Sequence, residues 1–392
     1  MNRCSHNQHY FGLERSLYVI YLDYAADTPV NAEVLDLFCR ISQDAFGNAN
    51  GTHLLGKKAK RLIEKATINI KNQLNCLNMA VIYTSGATEA NNLAIKGVAK
   101  NYRENGRHLI STCLEHASVS GSLKQLQSIG YEIDLVSIKK DGTVDLDHLK
   151  ELIRADTILV SINYVDSELG VCQPIESISS LIAAYPNCFF HVDATQAVGK
   201  IPINLEQIDL VTFSPHKFFG LNGMGVLLKS DSLILEPQIH GGTSTSYYRS
   251  GTPFTAGAGA TALALELCND ELAERLAQVA LKSDWLKRQL SAYPLVTFNC
   301  TEYSIPHILN LSVKGVRAQA FQAALSDQEV CVSTKSACST DNTPSRSVLT
   351  VTGSRELART SWRISLSHLT TDSELQEFME IFDYCYKSLT KK

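Results

Sequence analysis

The sequence predicts an α/β protein with a large domain built on a mostly parallel sheet and a smaller α+β domain. Between residue 79 and about residue 230, short runs that are apolar throughout alternate with longer helical stretches. Such runs suit strands buried on both faces, and strand–helix alternation is typical of a parallel sheet. Near residue 255 this pattern gives way to one long helical stretch and then to shorter strands. We therefore expect the large domain at 21–257. We expect residues 258–392, together with residues 1–20, to form the small domain.

The predicted elements of the large domain follow one another in strand–helix order. The apolar runs MAVIYTS, HLISTCLE and TILVSINYV are each followed by a helical stretch, which reads GATEANNLAIKGVAKNY, ASVSGSLKQLQSIG and IESISSLIAAY respectively. Three more apolar runs, NCFFHVDA, IDLVTFS and GVLLK, complete the predicted sheet. Ligands of open α/β sheets bind beyond the carboxyl ends of the strands, so polar residues at these ends are the candidate site.

The predicted small domain starts with a long helical pattern that carries no strand signal. It reads TAGAGATALALELCNDELAERLAQVALKSDWLKRQLSAY. The shorter strands VTFNC, HILNLSV, VCVST and TSWRISL follow, and the last helix begins near Asp372. Strands of this length after a long helix indicate an α+β unit.

Length and composition exclude several classes of protein. The 392 residues are 44% hydrophobic and 19% charged, an ordinary globular composition for two domains. The net charge of −4 gives no reason to expect nucleic acid or a membrane as a direct partner, and no apolar run approaches the length of a membrane span. The N-terminal residues lack the apolar core of a signal peptide, and the eleven scattered cysteines fit neither a disulfide framework nor a metal site. We expect a cytoplasmic protein without a bound metal.

Polar residues cluster at four of the predicted strand ends. After the first strand, TSGATE begins a helix, so Ala87 and Thr88 could present backbone N–H groups to an anion such as phosphate. An ordinary N-cap is the alternative explanation of this stretch. The other three strand ends carry His116, then Asp193 with Gln196, then Ser214 with His216 and Lys217.

A lysine and an aspartate at different strand ends match the needs of one cofactor. Pyridoxal 5′-phosphate requires a lysine that binds it covalently and an acid that keeps its pyridine nitrogen protonated. Lys217 and Asp193 could fill these two roles, and His116 could stack on the ring. A surface turn with a solvated lysine is the alternative for Lys217 alone. The combination favours a pyridoxal-phosphate enzyme.

Two features of the predicted small domain indicate substrate chemistry. Small polar residues surround Cys338 after the strand VCV, and an exposed cysteine in a turn-rich loop, with Lys335 nearby to favour the thiolate, is a candidate nucleophile. Arg363 is flanked by apolar residues and is suited to a two-point grip on a carboxylate. An incidental surface cysteine and a salt bridge within the small domain are the respective alternatives.

These motifs resemble those of the pyridoxal-phosphate-dependent cysteine desulfurases of group I, the iron–sulfur-cluster and nitrogenase type of the class V aminotransferase superfamily. The resemblance runs from YLDYAADTPV at residue 21 to the last helix and includes YTSGATEANNLAIKG, HVDATQAVGK, SPHKFFGLNGMGVLL and SACST. It implies the pyridoxal-phosphate-dependent transferase fold of type I and a homodimer. It also implies conversion of L-cysteine to L-alanine with a persulfide on Cys338, which supplies sulfur to an acceptor protein.

The resemblance further implies a role for each candidate residue. Lys217 is implied to bind the cofactor covalently, Asp193 to pair with the pyridine nitrogen and His116 to stack on the ring. Gln196 is implied to contact the phenolic oxygen of the cofactor. The implied phosphate contacts are Ala87, Thr88, Ser214, His216 and, from the other subunit, Thr252. The implied contacts to the substrate carboxylate are Arg363 and Asn48.

One stretch departs from the family pattern. Where the family usually has Asn-Asn-Glu, this chain has Asp166, Ser167 and Glu168. The second Asn of the family contacts the phenolic oxygen and the substrate carboxylate. A serine hydroxyl is shorter than a carboxamide, so we expect Ser167 to reach these groups poorly or through water.

Two other functions stay open at this point. One is a pyridoxal-phosphate-dependent lyase that acts on cysteine, cystine or selenocysteine without using Cys338. The other is a non-catalytic relative that binds a partner protein, against which the Lys217–Asp193 pair argues. The sulfur acceptor of a desulfurase could be an iron–sulfur scaffold or a thio-modification enzyme.

Overall fold

The computed structural model describes residues 19–244, 246–335 and 343–391. The strands in these ranges are β1 (Ile20–Tyr21), β2 (Met79–Thr84), β3 (His108–Ser111), β4 (Glu132–Leu135), β5 (Thr157–Asn163), β6 (Phe189–Asp193), β7 (Leu210–Phe213), β8 (Gly225–Ser230), β9 (Val296–Phe298), β10 (Ile308–Val313), β11 (Val330–Cys331) and β12 (Ser361–Ser365). The α-helices are α1 (Ala32–Asp44), α2 (Leu54–Gln73), α3 (Ala87–Asn101), α4 (Ala117–Gln127), α5 (Leu146–Leu152), α6 (Ile175–Ile182), α7 (Thr255–Asp270), α8 (Leu272–Leu290), α9 (Ala318–Ser326), α10 (Arg346–Thr352), α11 (Arg355–Thr360) and α12 (Asp372–Thr390). In the described part of the chain, no helix combines the length and the apolar character that crossing a membrane requires.

Seven strands form the central sheet of the large domain, in the order β2-β8-β7-β6-β5-β3-β4. The strands from β4 to β7 pair in parallel, whereas β8 is antiparallel to both of its neighbours, β7 and β2. Every residue of β5 and of β7 is buried, as the continuous apolar runs of these strands predict. The predicted fold class, α/β with a mostly parallel sheet, is confirmed.

Helices cover both faces of this sheet. Successive residues of a strand point to opposite faces, and Leu227 and Leu228 of β8 accordingly belong to different core clusters. Leu227 lies in the cluster that includes Leu93 of α3, and Leu228 lies in the cluster that includes Ile63 of α2. Burial of one leucine side chain stabilises a fold by about 1.5–3 kcal/mol. The strands are therefore packed from both sides, which fixes the positions of their ends.

The small domain has an antiparallel sheet in the order β12-β10-β9, packed against helices. Its core contains Trp362 of β12, whose ring stacks on Phe321 of α9 with centroids 5.2 Å apart. The N-terminal strand β1 pairs in parallel with β11, so the described start of the chain belongs beside this domain. The predicted domain boundary at 257/258 falls inside α7, whose buried residues join the core of the large domain.

The carboxyl ends of β2, β3, β6 and β7 lie at one edge of the central sheet, because these four strands run in the same direction. The first residue of the antiparallel β8, Gly225, reaches the same edge. A Cβ atom at Gly225 would lie 2.3 Å from the carbonyl carbon of Gly86, so only glycine allows the two loops to approach this closely. This close contact shapes the edge where the predicted site residues meet.

Candidate active site

A cavity of about 380 Å³ opens at this edge of the sheet, between the two domains. Its volume is in the usual range for small-molecule sites, roughly 300–1,000 Å³. Ten of the thirteen residues singled out in the sequence line it: Ala87, Thr88, His116, Ser167, Asp193, Gln196, Ser214, His216, Lys217 and Arg363. The structure therefore brings together residues that are spread over most of the chain.

Lys217 is placed by the short 3-10 turn Pro215–Lys217 that follows β7. Its Nζ atom donates hydrogen bonds to the backbone carbonyl of Ala25, at 3.0 Å, and to that of Ala26. Gln196 donates from Nε2 to the same carbonyl of Ala25, at 2.8 Å. The ammonium group therefore lies inside the cavity, held beside Gln196 by the loop that follows β1.

Asp193 ends β6 and is 6% exposed. Its Oδ2 atom accepts a hydrogen bond from Nδ2 of Asn91 at 2.8 Å, and its Oδ1 atom accepts from the backbone N–H of Thr195 at 3.1 Å. Asn91 is fully buried in α3, and its carbonyl oxygen in turn accepts from the hydroxyl of Thr212. This chain of contacts fixes the direction in which the carboxylate faces the cavity.

His116 caps the N-terminus of α4 through its ring. Its Nδ1 atom accepts from the backbone N–H of Ser118 at 3.1 Å. Burial lowers the pKa of His116, the charge of Lys217 lowers it further, and the charge of Asp193 opposes both. The ring is therefore neutral near pH 7, and because Nδ1 accepts a hydrogen bond, the ring proton lies on Nε2.

The start of α3 forms an anion cradle with the turn after β7. The N-cap residue Gly86 makes no side-chain capping bond, and the first helical residues, Ala87 and Thr88, line the cavity. The first N–H groups of a helix have no partner within the helix and favour an anion. Ser214 and His216 line the same cavity, and their side chains are hydrogen-bonded to each other at 2.8 Å.

Arg363 lies at the middle of β12 and is 2% exposed. One terminal nitrogen donates to Oδ1 of Asp23 at 2.7 Å, and the other donates to the backbone carbonyl of Ser167 at 2.6 Å. The second carboxylate oxygen of Asp23 accepts from the hydroxyl of Ser333 at 2.7 Å. The guanidinium is thus held by a largely buried ion pair that joins the start of the chain to its last strand.

The family model described as "Aminotransferase class-V" matches residues 20–378 of this chain. The chain belongs to the class-V aminotransferase family. A cysteine desulfurase IscS from Neisseria meningitidis serogroup C (strain 053442) is 36% identical over 369 residues, which cover 92% of this chain and 91% of that protein. Among solved structures, a NifS-like protein superposes with a TM-score of 0.88 at 30% identity, covering 94% of this chain and 99% of that one. A structure of SspA in complex with cysteine gives a TM-score of 0.78 at 30% identity, covering 90% and 99%.

These similarities confirm the predicted family, the type I fold and pyridoxal 5′-phosphate as the cofactor of this class-V family member. The residues of the cavity fit that cofactor. The helix start at Ala87 and Thr88 suits its phosphate, the carboxylate of Asp193 suits its pyridine nitrogen, and the amine of Lys217 suits a covalent bond to it.

Three of the thirteen residues singled out in the sequence do not line the cavity. Asn48 is exposed, and its side chain accepts from the backbone N–H of Asn50 at 3.0 Å. Thr252 is exposed as well. Cys338 lies outside the residues that the structure describes.

Buried polar residues that the sequence did not single out as site residues also surround the cavity. Burial raises the pKa of Glu115 from its ordinary value of 4.5 to about 8, and its Oε1 atom accepts from the backbone N–H of Asn163 at 3.0 Å. Lys200 is buried beside the cavity, donates to Oε1 of Gln196 at 2.5 Å, and has its pKa lowered well below 10.5 by burial. Both are charged residues within a motif of the sequence: Glu115 lies next to His116, and Lys200 lies one turn after Gln196.

Asp166 is a third such residue and is 1% exposed. It accepts from the backbone N–H of Glu168 at 3.0 Å and from the hydroxyl of Ser347 at 3.2 Å. Burial raises its pKa from 3.8 to about 7, and the nearby charge of Glu168 raises it further. The hydrogen bond to Ser347 therefore connects the start of α10 with the loop that contains Asp166 and Ser167.

Proposed function

We propose that this protein is a cysteine desulfurase that converts L-cysteine to L-alanine and keeps the sulfur as a persulfide on Cys338. The observation that carries the proposal is the meeting of Lys217, Asp193 and Arg363 in one cavity. This set combines an amine for the cofactor, an acid for its ring and a cation for an amino-acid carboxylate. The similarity to a desulfurase and to a protein solved with cysteine supports cysteine as the amino acid.

The large-domain side of the cavity would hold the cofactor. When bound, pyridoxal 5′-phosphate accepts electrons from the carbon skeleton of the substrate. Lys217 would bind it and would move the proton of the substrate Cα atom, and Asp193 would keep a proton on the ring nitrogen. The neutral ring of His116 would stack on it, and Gln196 would donate to its phenolic oxygen. Ala87, Thr88, Ser214 and His216 would hold the phosphate.

The side of the cavity next to Arg363, which we call the small-domain side although Asp23 and Ser167 contribute to it, would hold the substrate. Arg363 binds the carboxylate of cysteine, and Asp23 orients its guanidinium from behind. Ser167 contributes its backbone carbonyl to Arg363, and its side chain faces the cavity. We retain Asn48 as a further contact of the substrate carboxylate.

Cys338 is the sulfur-accepting residue in this proposal. Its thiolate attacks the substrate sulfur, so that an S–S bond forms as the Cβ–S bond breaks. The electron pair of the broken bond stays with the carbon skeleton, which takes up protons and leaves as alanine. The persulfide is reversible and passes its outer sulfur to the thiol of an acceptor protein, in iron–sulfur cluster assembly or thio-modification.

We further propose a homodimer in which Thr252 completes the phosphate site of the other subunit. Thr252 is exposed and lies outside the cavity of its own chain. Large apolar side chains are exposed on the large domain, among them Phe46 at 72%, Leu54 at 80% and Phe254 at 50%. Exposed apolar side chains of this size are common in protein interfaces. A cytoplasmic location fits the nine cysteines in the described ranges, all of which are free.

A comparison of Cys338→Ser with Cys331→Ser tests the proposed function. Cys331 is a half-buried cysteine of β11 outside the cavity, so its substitution is the matched control. With L-cysteine, Cys338→Ser should form no protein persulfide and should make alanine at least about 100-fold more slowly, a cost of about 2.7 kcal/mol in the barrier. Cys331→Ser should behave as the unmodified protein. Alanine and sulfide release by Cys338→Ser within about tenfold of the unmodified protein would instead support a lyase.

A further inference from the structure

A second cavity lies where the chain enters and leaves the segment that contains Cys338. It has a volume of about 140 Å³ and shares no lining residue with the first cavity. Lys335, the last described residue before that segment, and Thr343, the first described residue after it, both line the cavity. The Nζ atom of Lys335 donates to the hydroxyl of Thr343 at 3.1 Å, so the two ends of the segment meet there.

The charged residues that line this cavity in the described part of the chain are all basic. Arg317, Lys335 and Arg359 line it, and its described lining residues include no acid. Arg317 and Arg359 are exposed, and within the described ranges neither forms an ion pair. Like charges that share a small cavity repel one another, and an anion placed among them relieves the repulsion.

Neutral hydrogen-bond donors add to this charge. Arg317 is the N-cap of α9 and makes no side-chain capping bond, so the first N–H groups of this nine-residue helix begin at the cavity. These groups have no partner within the helix and point toward an anion. Gln319, Thr334 and Ser361 also line the cavity. We call this set of residues the basic cavity.

The position of the basic cavity indicates which anion it binds. Three residues of fully extended chain span at most about 11 Å, so Cys338 is no farther than this from Lys335 along the chain. An acceptor protein must bring its own thiol to Cys338, and this limit keeps that thiol within reach of the basic cavity for the residues that flank it. A single carboxylate side chain is small enough for a space of about 140 Å³.

We propose that the basic cavity binds a glutamate or aspartate side chain that flanks the acceptor's cysteine, and that it thereby docks the sulfur acceptor. The inference rests on the proposed transfer of sulfur from Cys338. It adds a stated chemistry for the partner: an acidic surface around the accepting thiol.

Two synthetic peptides of equal length test this inference on the cofactor-loaded full chain. Each has one central cysteine, which is flanked by glutamates in the first peptide and by glutamines in the second. After loading with L-cysteine, the protein should pass sulfur to the acidic peptide at least about tenfold faster, which corresponds to about 1.4 kcal/mol. Mass spectrometry of the peptides measures the transfer. The preference should fall as salt concentration rises, because the contributing charges are near the surface.

Reversing the charge at the two exposed arginines should remove the preference for the acidic peptide. In the double variant Arg317→Glu/Arg359→Glu the two peptides should accept sulfur at rates within about twofold, while the persulfide on Cys338 forms as before. The pair Arg317→Gln/Arg359→Gln, with a milder change, should give an intermediate preference. The matched control is Arg288→Glu, an exposed arginine of α8 that does not line the basic cavity and should keep the full preference.

Three outcomes would overturn the inference or separate it from the proposed function. Equal transfer to both peptides by the unmodified protein would overturn it. So would loss of persulfide formation in the double variant, because the cavity would then serve the segment of Cys338 itself. A fluorescent acidic peptide with serine in place of cysteine needs no chemistry to bind. If this peptide binds to the unmodified protein and to Arg288→Glu but not to the double variant, the result supports the basic cavity even when no persulfide forms. A lack of persulfide would instead refute the proposed desulfurase.

Discussion

The large-domain side and the small-domain side of the active-site cavity hold their side chains by different kinds of contact. On the large-domain side some hydrogen bonds join neighbours in the chain, such as His116 with Ser118 and Ser214 with His216, each two residues apart. Others on that side, to Lys217 and Asp193, come from residues 192 and 102 positions away. On the small-domain side the ion pair of Arg363 with Asp23 joins residues 340 positions apart. The first side therefore combines strand-end motifs with distant contacts, whereas both hydrogen bonds of the Arg363 guanidinium come from distant parts of the chain.

The two sides also differ in charge. Burial lowers the pKa of His116 and brings that of His216 to about 4, so both imidazoles are neutral near pH 7. On the other side, the carboxylate of Asp23 and the guanidinium of Arg363 are paired with little solvent, and Asp166 is buried with its pKa near 7. We therefore expect substitutions on the cofactor side to abolish chemistry. We expect those on the substrate side to change stability, pH dependence and substrate affinity.

The largest effect is expected for Lys217→Ala, on the cofactor side. This substitution removes both the amine that binds the cofactor and the base for the Cα proton, so alanine formation should fall about 1,000-fold or more. Lys139→Ala, at an exposed lysine of the large domain, is the control and should leave the rate unchanged. Steady-state assays of alanine measure both. A rate for Lys217→Ala within about tenfold of the unmodified protein would contradict the assigned role.

Asp23→Asn tests the ion pair on the substrate side. Removal of one partner of a buried pair leaves the other charge without compensation and typically costs about 3 kcal/mol or more. We expect a clear drop in the thermal midpoint and a higher KM for cysteine, because Arg363 loses its orientation, with kcat changed much less. The matched control is Asp36→Asn, which breaks the exposed ion pair with Arg40, where the side chains are 65% and 64% exposed. Exposed pairs contribute about 0–1 kcal/mol. Equal destabilisation by the two substitutions would show that Asp23 does not hold Arg363.

Whether a residue could be predicted from the sequence depends on how far along the chain its partner lies. The fold class and the strand-end residues could be predicted because apolar runs and the polar residues that end them are local features. Asn91, which positions Asp193 from 102 residues away, could not be distinguished in the sequence from an ordinary helical asparagine. Asp23 and Asp166 act through partners 340 and 181 residues away, and no spacing rule links such pairs.

Asp166→Asn tests the pH dependence that this buried acid introduces. The folded pKa of about 7 lies above the ordinary value of 3.8, so the folded protein keeps a proton that the unfolded chain loses. The contribution of Asp166 to the free energy of unfolding should therefore fall as pH rises from about 4 to about 7, and stay constant above. Asn cannot ionise, so the variant should match the unmodified protein near pH 4 and exceed it by about 4 kcal/mol at pH 8, because the folded and unfolded pKa values differ by about three units.

Thermal or denaturant unfolding at pH 4, 6 and 8 measures this difference, and Ser347→Ala provides the control. Ser347 donates to Asp166, so its loss removes a hydrogen bond without removing the ionisable group. It should lower stability by about 0.5–1.5 kcal/mol and leave most of the pH dependence in place. A pH profile of Asp166→Asn parallel to that of the unmodified protein would assign the dependence to another group, of which Glu115 is the first candidate.

The smallest effect is expected for Ser167→Asn, which restores the residue usual in the family. The backbone carbonyl of Ser167 already binds Arg363, so the substitution leaves that contact in place and puts a longer side chain, with a carbonyl oxygen and an NH2 group, in place of one hydroxyl. One additional neutral hydrogen bond in a largely water-excluded site contributes about 0.5–1.5 kcal/mol, which would lower KM for cysteine roughly two- to tenfold. The maximal rate should stay within a few-fold, because Lys217, Asp193 and Arg363 are unchanged. Ser167→Ala is the control: if the carbonyl makes the important contact, loss of the hydroxyl should change KM by less than about twofold. An unchanged or higher KM in Ser167→Asn would mean that Asp166 and its partners have reshaped the loop around serine, so that the substrate side of this cavity no longer has room for the family's asparagine.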